Sequence, residues 1–109
     1  MARYIITGSY TSQGLKGMMA RPSDRAAETA ALVEAAGGKM EAYFITTGDT
    51  DFLMVIQAPD GANMLQGIIV AGSTGAVTGL KTTMAFTSAE FMAAQKRASE
   101  IASKFTPAG

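Results

Sequence analysis

The sequence predicts an α+β domain in which one antiparallel sheet is covered by helices on one face and followed by a C-terminal helix. Three observations lead to this class. Short runs rich in β-branched and aromatic residues alternate with stretches of helical periodicity. Two of these runs are separated by only a few turn residues, which indicates a hairpin. The length of 109 residues suits one domain.

The first half of the chain predicts a strand and then an interrupted helix. Residues 3–10 form the strand, and Thr11 and Ser12 are residue types that cap helices well. Pro22 interrupts the helix, because the residue before a proline avoids the α region, and Pro22 suits the first position of the next helix. In that second stretch, residues spaced three or four apart are predicted to form one apolar face of the helix: Ala26, Ala30, Val33 and Gly37.

The second half predicts a hairpin, a helix and a last strand. Gly48, Asp49 and Thr50 are turn residues between two apolar runs, and Asp60 suits the cap of a helix. The predicted elements are strands over residues 39–47 and 51–58, a helix over 61–71 and a strand over 76–86.

The C-terminal helix has the strongest local signal. Thr87 and Glu90 stand at the two positions of a capping box. The predicted helix covers residues 88–105, and residues 106–109 form a tail. Its apolar stripe consists of Phe91, Ala94, Ala98, Ile101 and Phe105. The elements before it, in residues 1–87, follow the βαββαβ order of a ferredoxin-like domain.

The predicted sheet has apolar residues on both of its faces. A sheet with one face in water alternates apolar and polar residues, whereas residues 52–56 are apolar throughout. The second face therefore needs cover. A second copy of the sheet gives a homodimer and is the arrangement we favour, because large apolar faces mark interfaces. The C-terminal helix of the same chain and a higher oligomer are the alternatives.

Composition excludes several classes of function. Nine basic residues balance nine acidic ones, which disfavours nucleic-acid binding, and no apolar run approaches the length of a membrane span. The chain contains no cysteine or histidine, so thiol chemistry and imidazole catalysis are excluded. We predict a cytoplasmic protein that uses no cofactor and no metal.

Several segments together resemble the GYD-domain family of short bacterial proteins, named for a Gly-Tyr-Asp signature at the hairpin. They are RYIITGSYT, GLKG, LVEAAGGKMEAYF and GDTDFLMVIQAPD, and the resemblance covers about residues 3–87. It implies a dimeric α+β barrel in which two sheets pair. Gly48 and Asp51 match the ends of the signature, but Thr50 stands at the tyrosine position.

The hairpin holds the first candidate site. Asp49 and Asp51 lie two residues apart, so their carboxylates can point the same way and share a proton or a cation. The simpler interpretation, which we favour, is that Asp49 bonds to the turn backbone and Asp51 starts a strand. Asp51 is the stronger candidate for catalysis because it matches the signature, and Asp49 is a candidate for ligand binding.

A pocket between the sheet and its helices is the second candidate site. Tyr10 and Tyr43 are the predicted ligand-binding residues, and Lys16 and Lys81 are candidate acid–base groups beside Asp51. Lys81 also suits an edge strand, where lysine discourages aggregation. The predicted function is binding of a small organic molecule, with cofactor-free catalysis as an extension. A non-enzymatic ligand-sensing or assembly module is the alternative.

Overall fold

The computed structural model describes residues 1–109 and has four strands and four helices. The α+β class and the predicted order of elements are confirmed, except that the proline-interrupted helix forms two separate helices. In chain order the elements are β1 (Ala2–Tyr10), α1 (Ser12–Ala20), α2 (Arg25–Ala35), β2 (Lys39–Ile45), β3 (Phe52–Ala58), α3 (Gly61–Ser73), β4 (Val77–Ala85) and α4 (Ser88–Ala102).

The four strands form one antiparallel sheet in the order β2-β3-β1-β4. This is the strand order of a ferredoxin-like fold. Tyr4 of β1 lies opposite Ile56 of β3 on one side and Met84 of β4 on the other. On β2, Tyr43 lies opposite Met54 of β3. The two central strands therefore carry the centre of the core.

The hydrophobic core lies on the face of the sheet that the first three helices cover. Alternate residues of β1 and β3 are buried there, and Val33 of α2 joins them. The buried core residues are Tyr4, Ile6, Val33, Phe52, Met54, Ile56 and Ala58. Residues between them on the strands, such as Ile5 and Val55, are only half-buried.

Side chains at the helix N-termini define where the helices begin. Thr11 and Asp60 accept hydrogen bonds from backbone N–H groups of α1 and α3. The predicted capping box of α4 is present in full. The sequence position of Pro22 predicted that it would start α2, and this prediction is wrong. Asp24 accepts from the first amides of α2 instead, so the helix begins at Arg25 and Pro22 lies in the connection.

The second face of the sheet, called the open face below, has no helix over it. It includes Arg3, Ile5, Ala42, Phe44, Leu53 and Val55, which alternate with the core-facing residues, and towards β4 the polar residues Thr7, Lys81 and Thr83. Every residue of α4 is exposed, including Phe91 and Ile101. The molecule measures 61 × 30 × 22 Å along its principal axes. Helix α4 therefore does not cover the open face.

None of the helices is both long enough and apolar enough to cross a membrane.

Candidate ligand-binding cavity

A cavity of about 390 Å³ lies between the core face of the sheet and helices α1, α2 and α3. Small-molecule sites in proteins typically have volumes of roughly 300–1,000 Å³. Ile6, Phe52 and Met54 form its floor, and Met18 and Leu32 belong to its walls. The cavity is mostly apolar, with a few polar groups at defined positions. This composition is typical of sites for small organic molecules.

Two tyrosines form the polar centre of this cavity. Tyr10 ends β1 and Tyr43 lies in β2, and their hydroxyl oxygens are 2.6 Å apart. Phe52 of β3 lies between them: its ring is stacked on Tyr43 at 6.2 Å and tilted against Tyr10 at 5.2 Å. One hydroxyl donates to the other, so the pair retains one O–H group that can donate to a ligand.

The environment of Tyr43 favours its neutral hydroxyl form. Burial raises the pKa of Tyr43, and the hydrogen bond with Tyr10 raises it further. The positive charge of Arg25 and the hydroxyl of Thr29 act in the opposite direction and are outweighed. At neutral pH, Tyr43 is therefore a hydrogen-bond donor or acceptor rather than a general base.

Two glycines allow the close packing that shapes the cavity. A Cβ atom on Gly8 would lie 2.6 Å from the ring of Phe52, so glycine is needed for that ring to lie across β1. A Cβ atom on Gly14 would lie 2.4 Å from the carbonyl oxygen of Ala76. The amide of Thr11 also donates to that oxygen, which fixes the start of α1 beside β4.

The structure separates the two aspartates of the hairpin. Asp51 accepts a hydrogen bond from the amide of Tyr10 at 2.9 Å, while its own amide donates to the carbonyl oxygen of Gly8. Asp49 is exposed and its carboxylate accepts no hydrogen bond from the protein. Neither residue lines the cavity. Asp51 instead joins the hairpin to the end of β1, beside the tyrosine pair.

The hairpin backbone is closed by threonine contacts. The hydroxyl of Thr46 donates to the carbonyl oxygen of Thr50, and the amide of Thr46 donates to the carbonyl oxygen of Asp51. Thr50, at the signature tyrosine position, takes part in this turn through its backbone.

The two candidate lysines lie away from the cavity. Lys16 is exposed on α1, and Lys81 is exposed on β4, an edge strand of the sheet, opposite Thr7. Neither lines the cavity or forms an ion pair. Glu41 of β2 pairs with Arg3 at 2.7 Å and with neither lysine. Of the predicted site residues, only Tyr10 and Tyr43 come together in the cavity.

Sequence analysis missed the contribution of the α1–α2 connection and of α2. Arg21, Arg25 and Thr29 line the cavity together with Leu32. The sequence signal was the i, i+4, i+7 spacing of Arg25, Thr29 and Leu32, which places them on one side of a helix. The predicted apolar face, built on alanines, included Val33 correctly but omitted these larger side chains.

The chain has a ferredoxin-like α+β fold with a cavity between its sheet and its helices. A family model described as "GYD domain" matches residues 4–94. The chain therefore belongs to the GYD-domain family, as its sequence motifs indicated. The match extends beyond the segment recognised from those motifs and includes the first turns of α4.

Three solved structures are similar to this chain in fold. FFRP-DM1 matches with a TM-score of 0.50 at 11% identity, over 79% of this chain and all of that one. MtbAldR matches with a TM-score of 0.54 at 12% identity, over 79% of this chain and 52% of that one. The transcriptional regulator NMB0573 of Neisseria meningitidis, in complex with L-Met, matches with a TM-score of 0.51 at 19% identity, over 80% and 51%.

The chain thus matches only about half the length of MtbAldR and of the Neisseria regulator. At these identities the likeness establishes the fold alone. Among curated protein sequences, no relative matches the chain.

Proposed function

We propose that the protein binds a small organic molecule in the cavity between its sheet and helices, and that it acts as a ligand-binding module rather than an enzyme. The observation that carries this proposal is the cavity itself, with an apolar floor and one hydroxyl pair at its centre. Apolar surface supplies binding free energy, and the few polar groups fix the orientation of the ligand.

The positions of the ionisable side chains favour binding over catalysis. A general base must lie within hydrogen-bond reach of the proton that it removes. Asp51 is engaged by the amide of Tyr10, and Lys16 and Lys81 lie outside the cavity. Glu28, the one carboxylate that lines the cavity, is exposed to solvent on α2. Tyr43, which does line the cavity, has a raised pKa that keeps its proton in place. The Neisseria regulator, whose structure contains this fold, forms a complex with the small molecule L-Met, which supports a binding role by analogy.

The open face of the sheet suggests how the module assembles. Phe44 is 61% exposed there, beside Ile5, Leu53 and Val55. A contiguous apolar face of this kind marks an interface. In our proposal, the open faces of two copies pair, which leaves the cavity of each copy on the outside of the dimer.

Helix α4 supplies a second surface for this assembly. An isolated helix of about 15 residues is marginal in water, so α4 needs a packing partner to be stable. The residues of its apolar stripe are all exposed in the single chain. The partner subunit is the surface that we propose for it.

Binding of the uncharged dye Nile red tests the site. Gly67 lines the cavity on α3, whereas Gly72 lies on the same helix outside it. Gly67→Leu fills part of the cavity and is expected to weaken dye binding, while Gly72→Leu, the matched control, leaves it unchanged. Equal dye binding by both variants, or no dye binding by the wild type, would contradict the proposed site.

A further inference from the structure

The cavity carries two arginines whose charges are not neutralised within the chain. Arg21 and Arg25 line it at the α1–α2 connection, where Arg25 is half-buried. The ion pairs of the chain involve only Arg3 and Arg97 among its arginines. Arg25 donates one hydrogen bond, to the uncharged hydroxyl of Ser23 at 3.2 Å.

The charged residues that line the cavity have a net positive charge. Asp24 lies next to Arg25 in the sequence, but its carboxylate accepts hydrogen bonds from the amides of Ala26 and Ala27 and does not line the cavity. Glu28 is the one carboxylate that lines the cavity. The two guanidinium groups and this one carboxylate give the lining a formal charge of +1. A ligand with one negative charge balances it, whereas a dianion would leave an excess of negative charge.

Arg25 also acts on the tyrosine pair. Burial raises the pKa of Tyr43, and the charge of Arg25 opposes that rise, so the guanidinium lies within electrostatic reach of the Tyr43 hydroxyl. Guanidinium groups bind carboxylates through two parallel N–H···O bonds.

We propose that the ligand is a hydrophobic organic acid with a single negative charge. Its carboxylate pairs with Arg21 and Arg25, its apolar body covers Phe52 and Ile6, and an acceptor atom on that body takes the free O–H of the Tyr10–Tyr43 pair. This assignment rests on the proposed function and names the chemical class of its ligand.

The test compares two probes of the same shape that differ in charge. 1-Naphthaleneacetate and 1-naphthaleneacetamide each compete with Nile red at pH 7, for the wild-type full chain, an Arg21→Gln/Arg25→Gln double variant and an Arg97→Gln control. Arg97 lies on α4, pairs with Glu100 and is outside the cavity. The dye signal of each variant reports that its cavity is intact.

We expect the wild type to bind the acetate about tenfold more tightly than the amide, the size of effect given by hydrogen bonds to a charged group. The double variant is expected to bind both probes alike, because the larger loss falls on the charged acetate. Arg97→Gln should keep the tenfold preference. Added salt should reduce that preference in the wild type, because ions screen the charges at the cavity mouth.

Three outcomes overturn the inference. If both probes displace the dye from the wild type with equal affinity, the ligand is not assigned as an organic acid, and the proposed binding function is unaffected. A preference for acetate that survives in the double variant removes the role of the two arginines. A wild type that does not bind the dye overturns the proposed function and the inference with it.

Discussion

The hydroxyl oxygens of Tyr10 and Tyr43 lie 2.6 Å apart across β3, over the ring of Phe52. This contact joins the end of β1 to the edge strand β2 and places a hydrogen-bonded hydroxyl pair in the lining of a mostly apolar cavity. In our proposal this hydrogen bond contributes both to the stability of the fold and to ligand binding. Substitutions of the two tyrosines separate these contributions.

Loss of one hydroxyl of the pair should destabilise the fold. Tyr10→Phe or Tyr43→Phe leaves the other hydroxyl without its partner, and we expect the free energy of unfolding to fall by about 1–2 kcal/mol. The double variant should lose less than the sum of the two, because no hydroxyl then remains unpaired. Urea unfolding of all three variants measures this. Tyr4→Phe is the control, since Tyr4 is buried on the same face and its hydroxyl forms no hydrogen bond within the chain. If the double variant lost as much unfolding free energy as the two single variants together, the result would contradict the pairing of the two hydroxyls.

The stability of the fold should fall in alkaline solution because of Tyr43. Burial, supported by the bond to Tyr10, raises the pKa of Tyr43 above its ordinary value of 10.0. The hydroxyl form therefore contributes stability that is fully present below pH 10 and is lost as the pH rises through the folded-state pKa. Urea midpoints between pH 8 and pH 11 should decline less steeply for Tyr43→Phe than for the wild type. Parallel curves would show that Tyr43 does not titrate differently on folding.

Gly8 should be intolerant of even one methyl group. Gly8→Ala places a carbon 2.6 Å from the Phe52 ring, and overpacking of this kind costs about 1–3 kcal/mol. Phe52→Leu in the same chain should recover part of that loss, because the smaller side chain vacates the space. Gly17→Ala is the matched control: a Cβ atom there meets nothing within 4 Å, and alanine favours the helix. Thermal unfolding compares the variants. Equal effects at Gly8 and Gly17 would refute the close contact.

The open face should mediate dimerisation. Leu53→Lys places a charge in the middle of that face, and we expect the variant to be monomeric at concentrations where the wild type is dimeric. Met19→Lys is the control, because Met19 is a large apolar residue that is 79% exposed on α1. Sedimentation velocity over a concentration series gives the masses. A wild type that stays monomeric, or a Leu53→Lys variant that dimerises normally, would contradict the assembly.

Helix α4 should contribute to that dimer and not to the fold of the single chain. Phe91→Ser/Ile101→Ser removes two residues of its exposed stripe. We expect weaker dimerisation by sedimentation, with the unfolding of dilute monomer unchanged because the stripe is exposed in the single chain. Lys96→Ser, on the same helix, should change neither quantity. Loss of monomer stability in the double variant would show that α4 packs on its own domain.

Much of the fold was predictable because its signals are local. Turn residues around Gly48, the cap at Asp60 and the capping box of Thr87 and Glu90 each specify an element boundary within a few residues. The start of α2 was displaced from Pro22 to Arg25, since sequence alone does not show that Asp24 would cap the helix.

The candidate site was less predictable because it depends on contacts between distant parts of the chain. Tyr10 and Tyr43 were predicted to bind a ligand in a pocket between the sheet and its helices; both line the cavity, and their role in binding stays a prediction. Asp51 was selected for a match to a signature, but its carboxylate serves the amide of Tyr10. Arg21 and Arg25 were missed because a charged residue beside a proline connection indicates a solvent-exposed turn, and only the packing of α2 on the sheet brings them to the cavity.

Native mass spectrometry of the protein as purified from cells tests the central claim, that the cavity holds a small molecule. Under gentle conditions we predict a chain with an added mass that disappears on denaturation. The same added mass should persist in Gly72→Leu and be reduced in Gly67→Leu. An added mass that both variants retain equally would place the ligand elsewhere. A wild type that carries no added mass and binds no hydrophobic probe in the same experiment would contradict the claim.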